Sequence, residues 1–309
     1  MTDYPSYLEL HRSGELHRRA AEARKRLAAC DVCPRACGVN RLQGEVGYCR
    51  AGAQVRVASW NVHMWEEPPI SGTRGSGTIF FAYCTARCLF CQNWPISQEG
   101  RGIDVPPERL GGMMMELQRR GCHNINLVTP SHYVPQILAA VDAAAERGLR
   151  IPILYNTSGY DAVETLRLLE GVVDIYLPDS KYADDAVARR LSGFVDYTRH
   201  NRAALLEMER QVGARLQVDD EGIATRGMVV RHLVLPNGLS QTPAVLHWLT
   251  ENLGAEVYVS LMAQYFPAHR AVVHAELGRR VTPEEYEEAL VALEAEGLEN
   301  GWTQELDGE

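Results

Sequence analysis

No stretch of this 309-residue sequence approaches the roughly 18 uninterrupted apolar residues of a membrane span, which excludes a membrane-spanning helix. The opening residues, Met1 to Arg26, lack the apolar core of a signal peptide and run instead through Arg18, Arg19, Arg24, Lys25 and Arg26. A cytoplasmic protein is the expectation. Excess positive charge is missing too. With 31 Lys and Arg against 40 Asp and Glu the chain carries -9, so no overall field draws it to nucleic acid or anionic lipid, and neither is expected as a partner. Low complexity and internal repeats are absent, and 46% hydrophobic and 23% charged residues describe an ordinary globular protein. Gly72, Gly75 and Gly77 do not follow a strand, so a dinucleotide-type phosphate loop is excluded as well.

What is present falls into zones. Residues 1-29 carry Leu8, Leu10, Leu16, Ala20, Ala23 and Leu27 among charges, the pattern of short helices covering a larger body. Residues 30-77 hold four cysteines with many Gly and Pro, and read as a Cys-rich metal module followed by a glycine-rich loop. From Thr78 to about residue 275, short apolar β-branched runs alternate with helical stretches. The runs are Thr78 to Tyr83, Asn124 to Thr129, Ile151 to Asn156, Val172 to Leu177, Met228 to Leu235 and Glu256 to Ala263. Helices are predicted over Pro107 to Arg120, Val134 to Arg147, Ala162 to Glu170, Asp184 to Leu191, Arg199 to Val212 and Thr242 to Leu253. That alternation predicts an α/β fold of parallel units, a partial (β/α)6 TIM-like barrel carrying an N-terminal Cys-rich metal-binding module. Residues 276-309 supply a last helix, opened by Thr282 as N-cap and Pro283 at N1, and a tail. In such folds the chemistry gathers at the carboxyl ends of the strands.

Eight cysteines in a reducing compartment point to metal or redox chemistry rather than disulfides. Cys84, Cys88 and Cys91 form C-x3-C-x2-C directly after the first predicted strand. Three thiolates can wrap one iron-sulfur cluster but leave one iron of a four-iron cubane unligated, and an open coordination position distinguishes a catalytic centre from a closed one. A zinc knuckle is the plainer alternative. Cys30, Cys33, Cys37 and Cys49 make a second set of four, sufficient to close a tetrahedral zinc or to hold every corner of an auxiliary cluster, and spacing does not separate these.

The three-cysteine loop with Phe90 before its last cysteine resembles that of the radical S-adenosylmethionine (radical SAM) enzymes. Ser71 to Gln98, Asn124 to His132, Leu177 to Tyr182 and Arg231 to Pro236 extend the resemblance to the branch of pyruvate formate-lyase activating enzyme-related proteins. It implies a 4Fe-4S cluster on Cys84, Cys88 and Cys91, S-adenosylmethionine on the open iron, and reductive cleavage to a 5′-deoxyadenosyl radical that abstracts hydrogen from a substrate. By the same resemblance Phe90 lies near the adenine, Asn156 and Ser158 touch the methionyl or ribose part, Asp179 positions ribose hydroxyls or a cation, and Lys181 pairs with the carboxylate. Where the branch carries Gly-Gly-Glu for the amino group, this chain reads Thr129-Pro130-Ser131-His132. Thr129, Ser131 and backbone carbonyls then take the ammonium, or His132 serves the substrate. Glu66, His132, Tyr265 and His269 are the candidates for lining a substrate site. A flavodoxin or ferredoxin is the implied electron donor, and the substrate is either a protein such as a glycyl-radical enzyme or a small metabolite. A non-catalytic zinc or iron-sulfur scaffold is the competing class.

Overall fold

The protein is described by a computed structural model covering residues 4–306. Its strands, in chain order, are β1 (Val55–His63), β2 (Ser76–Phe81), β3 (Ile103–Val105), β4 (Ile125–Val128), β5 (Ile153–Thr157), β6 (Ile175–Pro178), β7 (Gln217–Val218), β8 (Ala224–Leu233), β9 (Tyr258–Met262) and β10 (Gly301–Thr303). They pair in the order β10-β9-β8-β6-β5-β4-β2-β1-β3, with β7 beside β8. The six predicted strands are β2, β4, β5, β6, β8 and β9, mutually parallel and adjacent in chain order. This is the expected partial barrel. It continues by one more unit, because β10 pairs parallel to β9 after the helix Pro283–Ala295. At the other edge β1 pairs antiparallel with both β2 and β3. Among the described residues no pairing joins β10 to β3, so the sheet stays open.

The crossover helices end where local chemistry ends them. Asp184 caps the helix Asp185–Ser192 by accepting from the N–H groups of Ala186 and Val187, and left-handed Gly193 stops it. Thr282 and Glu285 close a capping box at the last helix. Thr242–Leu253 appears with the predicted bounds.

Side chains alternate across each strand, and the two faces meet different surroundings. Ile125, Leu127, Ile153, Tyr155, Tyr176, Met228 and Val230 join the main core with helix residues such as Met113, Leu117, Ile137 and Val141. Leu154, Ile175, Leu177 and Val229 turn the other way and meet Ile70 in a small inner cluster.

The N-terminal helix Tyr7–Arg12 lies at the amino ends of the strands, and Glu15–Lys25 packs on the crossover helix Val134–Glu146. The Tyr7 hydroxyl donates to the Ile151 carbonyl at 3.0 Å, and the Ser6 hydroxyl donates to Asp174 Oδ1 at 2.6 Å. Burial raises the Asp174 carboxyl from 3.8 to about 6, against the Ser6 hydrogen bonds and Arg226. Between those values the folded chain binds more proton than the unfolded one, so this group's contribution to stability falls as pH rises through that interval and stays low above it. Asp174→Asn keeps an acceptor for Ser6 and removes the charge. The variant is expected to gain about 3 kcal/mol at pH 7.5 and less than about 1 kcal/mol at pH 4 in urea denaturation, whereas equal stability at pH 7.5 would refute the assignment.

Candidate active site

The loop leaving β2 turns through Tyr83, which is left-handed at φ 69, and then presents Cys84, Cys88 and Cys91. Its backbone is fastened along the end of the helix Asp185–Ser192: Arg87 N–H donates to Ser192 O at 2.9 Å and Leu89 N–H to Leu191 O at 2.8 Å. Gln98 Nε2 donates to the Cys88 carbonyl at 2.9 Å, and Cys91 Sγ meets Ser97 Oγ at 3.1 Å. The three thiols lie within electrostatic reach of one another. Burial, then Cys88 and Cys91, push Cys84 up to about 12, and burial pushes Cys88 up to about 11 against the opposing charge of Lys181. No three His, Cys, Asp or Glu side chains among the described residues are arranged around a single metal ion. The donor chemistry fits a cluster, in which each thiolate binds a different iron and a positively charged centre relieves the cost of burying three thiolates.

A buried polar chain runs from these thiols into the barrel. Strand alternation turns Asn126, Asn156, Asp179 and Arg231 to the inner face above the Ile70 cluster. Lys181 Nζ lies 2.6 Å from Asp179 Oδ2, and Arg231 Nε donates to Asp179 Oδ1 at 3.0 Å. Arg231 also donates to Asn156 Oδ1 at 2.7 Å and stands 3.8 Å from Glu66 Oε2, whose other oxygen accepts from Asn126 at 3.0 Å. Burial alone would raise the Asp179 carboxyl, but Lys181 and Arg231 overcome it and hold the group below its ordinary range. Lys181 is likewise raised, Asp179 and then Cys88 outweighing burial. Glu66 is pushed up by burial, with Arg231 opposing. Tyr197 locks the strand ends: its hydroxyl accepts from Lys181 N–H at 2.9 Å and lies 3.1 Å from the Ser158 carbonyl.

Asn156, Asp179, Lys181 and Glu66 are thus brought into one network, and Lys181 connects it to Cys88. Ser158 joins through its backbone. Thr129, left-handed at φ 60, donates its N–H to the Asn156 carbonyl at 2.9 Å, which places it at the same strand ends. Phe90 is buried and packs edge-on against Tyr265, whose hydroxyl donates to the Leu277 carbonyl at 2.7 Å. The Tyr265 hydroxyl is therefore occupied, and its ring backs the thiol loop.

Three predicted residues sit elsewhere. Ser131 pairs with Thr157 at 3.1 Å in a network with Asp161 and Tyr155, on the helix-facing side of β5. His132 is 1% exposed, its Nε2 is 3.0 Å from the Ala82 carbonyl, and burial drives its imidazole down to about 3. It is a neutral ring fixing the backbone behind the loop. His269 stacks on Trp94 at 5.0 Å, and the neighbouring N–H groups of Arg270 and Ala271 bind the Leu89 carbonyl, so this segment covers the loop from outside. Glu66 arrives from the amino end of the barrel rather than its mouth, since His63 pairs with Ser76 at the start of β2 and Asn124 holds the Ile70 carbonyl. Arg231, Asn126 and Tyr197 went unread in the sequence. The available signal was an amide inside the apolar strand Ile125–Val128 and an arginine following Met228-Val229-Val230, whereas Tyr197 opens a helix and gave none.

Residues 78–218 match the Radical SAM superfamily. The uncharacterized protein MJ0674 of Methanocaldococcus jannaschii is 31% identical over 281 residues, which is 87% of this chain and 75% of that protein. A radical SAM methyltransferase from Sphaerobacter thermophilus aligns in structure with a TM-score of 0.50 at 17% identity, over 74% of this chain, a likeness of fold alone. This chain spans 65% of that structure's length. No helix among the described residues is long and apolar enough to cross a membrane.

Proposed function

The chain belongs to the radical SAM superfamily, and on that premise we propose that it is a hydrogen-abstracting enzyme whose substrate is a peptide of the kind a glycyl-radical enzyme presents. Membership implies a 4Fe-4S cluster and S-adenosylmethionine. Held by Cys84, Cys88 and Cys91, the cluster when bound supplies an open iron for S-adenosylmethionine and the electron that splits it into methionine and a 5′-deoxyadenosyl radical. The observation that carries the reading is the chain Lys181, Asp179, Arg231 and Asn156, which leads from the three thiols along the strand ends.

S-adenosylmethionine offers a carboxylate, an ammonium, two ribose hydroxyls and a flat base. Lys181 donates to the carboxylate, and Asp179 and Asn156 take the ribose hydroxyls. Phe90, held by Tyr265, gives the adenine an apolar face. Thr129 and the carbonyls beside it receive the ammonium, because the Ser131 hydroxyl is engaged with Thr157. His132 keeps the Ala82 carbonyl in place and moves no proton near neutral pH. The segment from Tyr265 to Ala271 shields the loop from water, which protects a reactive radical. A cytoplasmic flavodoxin or ferredoxin is the proposed electron donor.

A peptide substrate requires a side of the barrel that is not closed by strand pairing, and β10 and β3 leave one among the described residues. The inner Glu66–Asn126 pair favours a second reading, a small polar metabolite held deeper in the barrel. A lysate of fully deuterated cells separates the two. Divided by ultrafiltration and supplied to the reduced enzyme with S-adenosylmethionine, its macromolecular fraction is expected to put deuterium into 5′-deoxyadenosine. Deuterium arriving only from the filtrate would establish the metabolite and overturn the peptide.

A further inference from the structure

The four N-terminal cysteines take no part in the reading above, yet the chain folds to bring them together. Cys30 N–H donates to Val39 O and Gly38 N–H to Cys30 O, both at 2.9 Å, so the segment doubles back and lays Cys37 Sγ 3.9 Å from the Cys30 carbonyl. Gly47 makes room for that sulfur: a Cβ there would stand 2.4 Å from it. Cys33 lies within electrostatic reach of Cys49, Cys30 and Cys37. The segment from Cys30 to Cys49 has little regular structure and few apolar residues around Pro34, Gly38, Gly44 and Gly47, and metal binding is the usual source of folding energy for such a module.

Two arginines project from it. Arg35, between Cys33 and Cys37, donates from Nε to the Thr85 carbonyl at 2.8 Å and from Nη2 to the Gly193 carbonyl at 2.6 Å. Its guanidinium lies 3.4 Å from the centre of the Tyr48 ring, and Arg87 of the β2 loop lies 4.6 Å from the same ring while donating to the Tyr48 carbonyl. Arg41 is 1% exposed and stands 3.8 Å from Cys30 Sγ. It donates to the carbonyls of Gly52 and, at 2.8 Å, of His132 in the loop after β4.

We propose that Cys30, Cys33, Cys37 and Cys49, which are not arranged around a single ion, ligate one four-iron cluster with each thiolate on its own iron, and that this cluster staples Arg35 and Arg41 against the backbones of the loops that follow β2 and β4. Each thiol releases its proton to solvent as the cluster binds, and four thiolates around a four-iron cluster leave net negative charge. Arg41 at the Cys30 sulfur and Arg35 between two of the ligands answer that charge. The metal half stands on these residues alone. The stapling half rests on the reading of the β2 loop as the radical site.

The test uses the full chain carrying Cys84→Ala, Cys88→Ala and Cys91→Ala, which leaves the four thiols and buried Cys122. Elemental analysis is expected to find iron and sulfide with a cluster's visible absorption, whereas one zinc per chain in their place would overturn the cluster. A folded variant free of metal, with the four thiols open to a thiol reagent, would overturn it. Adding Gly47→Ala, which keeps every ligand and displaces only Cys37 Sγ, is expected to lower the occupancy several-fold, and unchanged occupancy would count against the site. In the otherwise intact protein, Arg35→Ala is expected to keep the module's metal while the β2 loop loses iron to a chelator about tenfold faster, with Arg35→Lys partly restoring retention. Unchanged iron loss would overturn the stapling. A chain that never cleaves S-adenosylmethionine would still give the same metal count, so failure of the function and failure of the staple are separable.

Discussion

Replacing Cys88 by alanine is expected to strip iron from the β2 loop and to reduce 5′-deoxyadenosine formation at least about 1000-fold, to the level of a protein-free control, a loss of ~4 kcal/mol or more in barrier terms. Three ligands are the minimum that holds a cluster with one open iron, and no spare thiol stands by. Cys122 is 2% exposed, lies before β4 at the amino end of the barrel, and packs in the main core. The matched control is therefore Cys122→Ala, expected to cost about 1 kcal/mol of stability and to leave the iron in place. Iron and sulfide counted beside 5′-deoxyadenosine in both variants read the contrast. Full activity in Cys88→Ala would remove the loop from the chemistry.

Removing the carboxylate at Asp179 is expected to have the second largest effect. Asp179→Ala leaves Lys181 and Arg231 as neighbouring, mostly buried cations with their shared partner gone. The cost is expected to be about 3 kcal/mol, toward the lower end for a broken buried pair because Glu66 still faces Arg231. Asp179→Asn preserves the shape and is expected to fold, but to weaken S-adenosylmethionine binding at least about tenfold, or ~1.4 kcal/mol. The pH dependence has a definite sign. The Asp179 carboxyl is held below its ordinary 3.8 in the folded chain, so its contribution is complete above that value and is lost only as pH falls through the lower folded value. Between pH 5 and 8 the wild-type and Asp179→Asn difference is expected to be flat. Urea denaturation and equilibrium dialysis with S-adenosylmethionine measure the two quantities, and an Asp179→Asn chain that binds the cofactor normally would release this residue from the site.

The six inner parallel strands were legible because a buried parallel sheet demands continuous apolar, β-branched runs, and the helices because caps such as Thr282 and Pro283 mark their starts. β1 was not, since only its first residues alternate before Ala58-Ser59-Trp60-Asn61 breaks the pattern at a half-exposed edge. β10 is three residues long and takes its place only by pairing with β9. The thiols were legible from spacing alone, as their loop is local. The network they lead to is not local: Arg231 reaches Asp179 across 52 residues of chain, and that contact depends on the register of β8 against β6. Register also explains Ser131. It pairs with Thr157 on the helix-facing side of β5, whereas Asn156, one residue earlier, faces the barrel interior, and a single step along a strand reverses the face. His132 shows why a polar residue after a strand is an ambiguous signal, for its ring is spent on the Ala82 carbonyl.

The most direct test of radical cleavage at the three-cysteine loop is anaerobic. The reconstituted protein is reduced with dithionite, given S-adenosylmethionine and the deuterated lysate, and assayed for methionine and 5′-deoxyadenosine. The account predicts both products in equal amounts, with deuterium in the nucleoside and neither product from Cys88→Ala. A protein with its 4Fe-4S cluster intact and reduced that forms neither product under those conditions would contradict it.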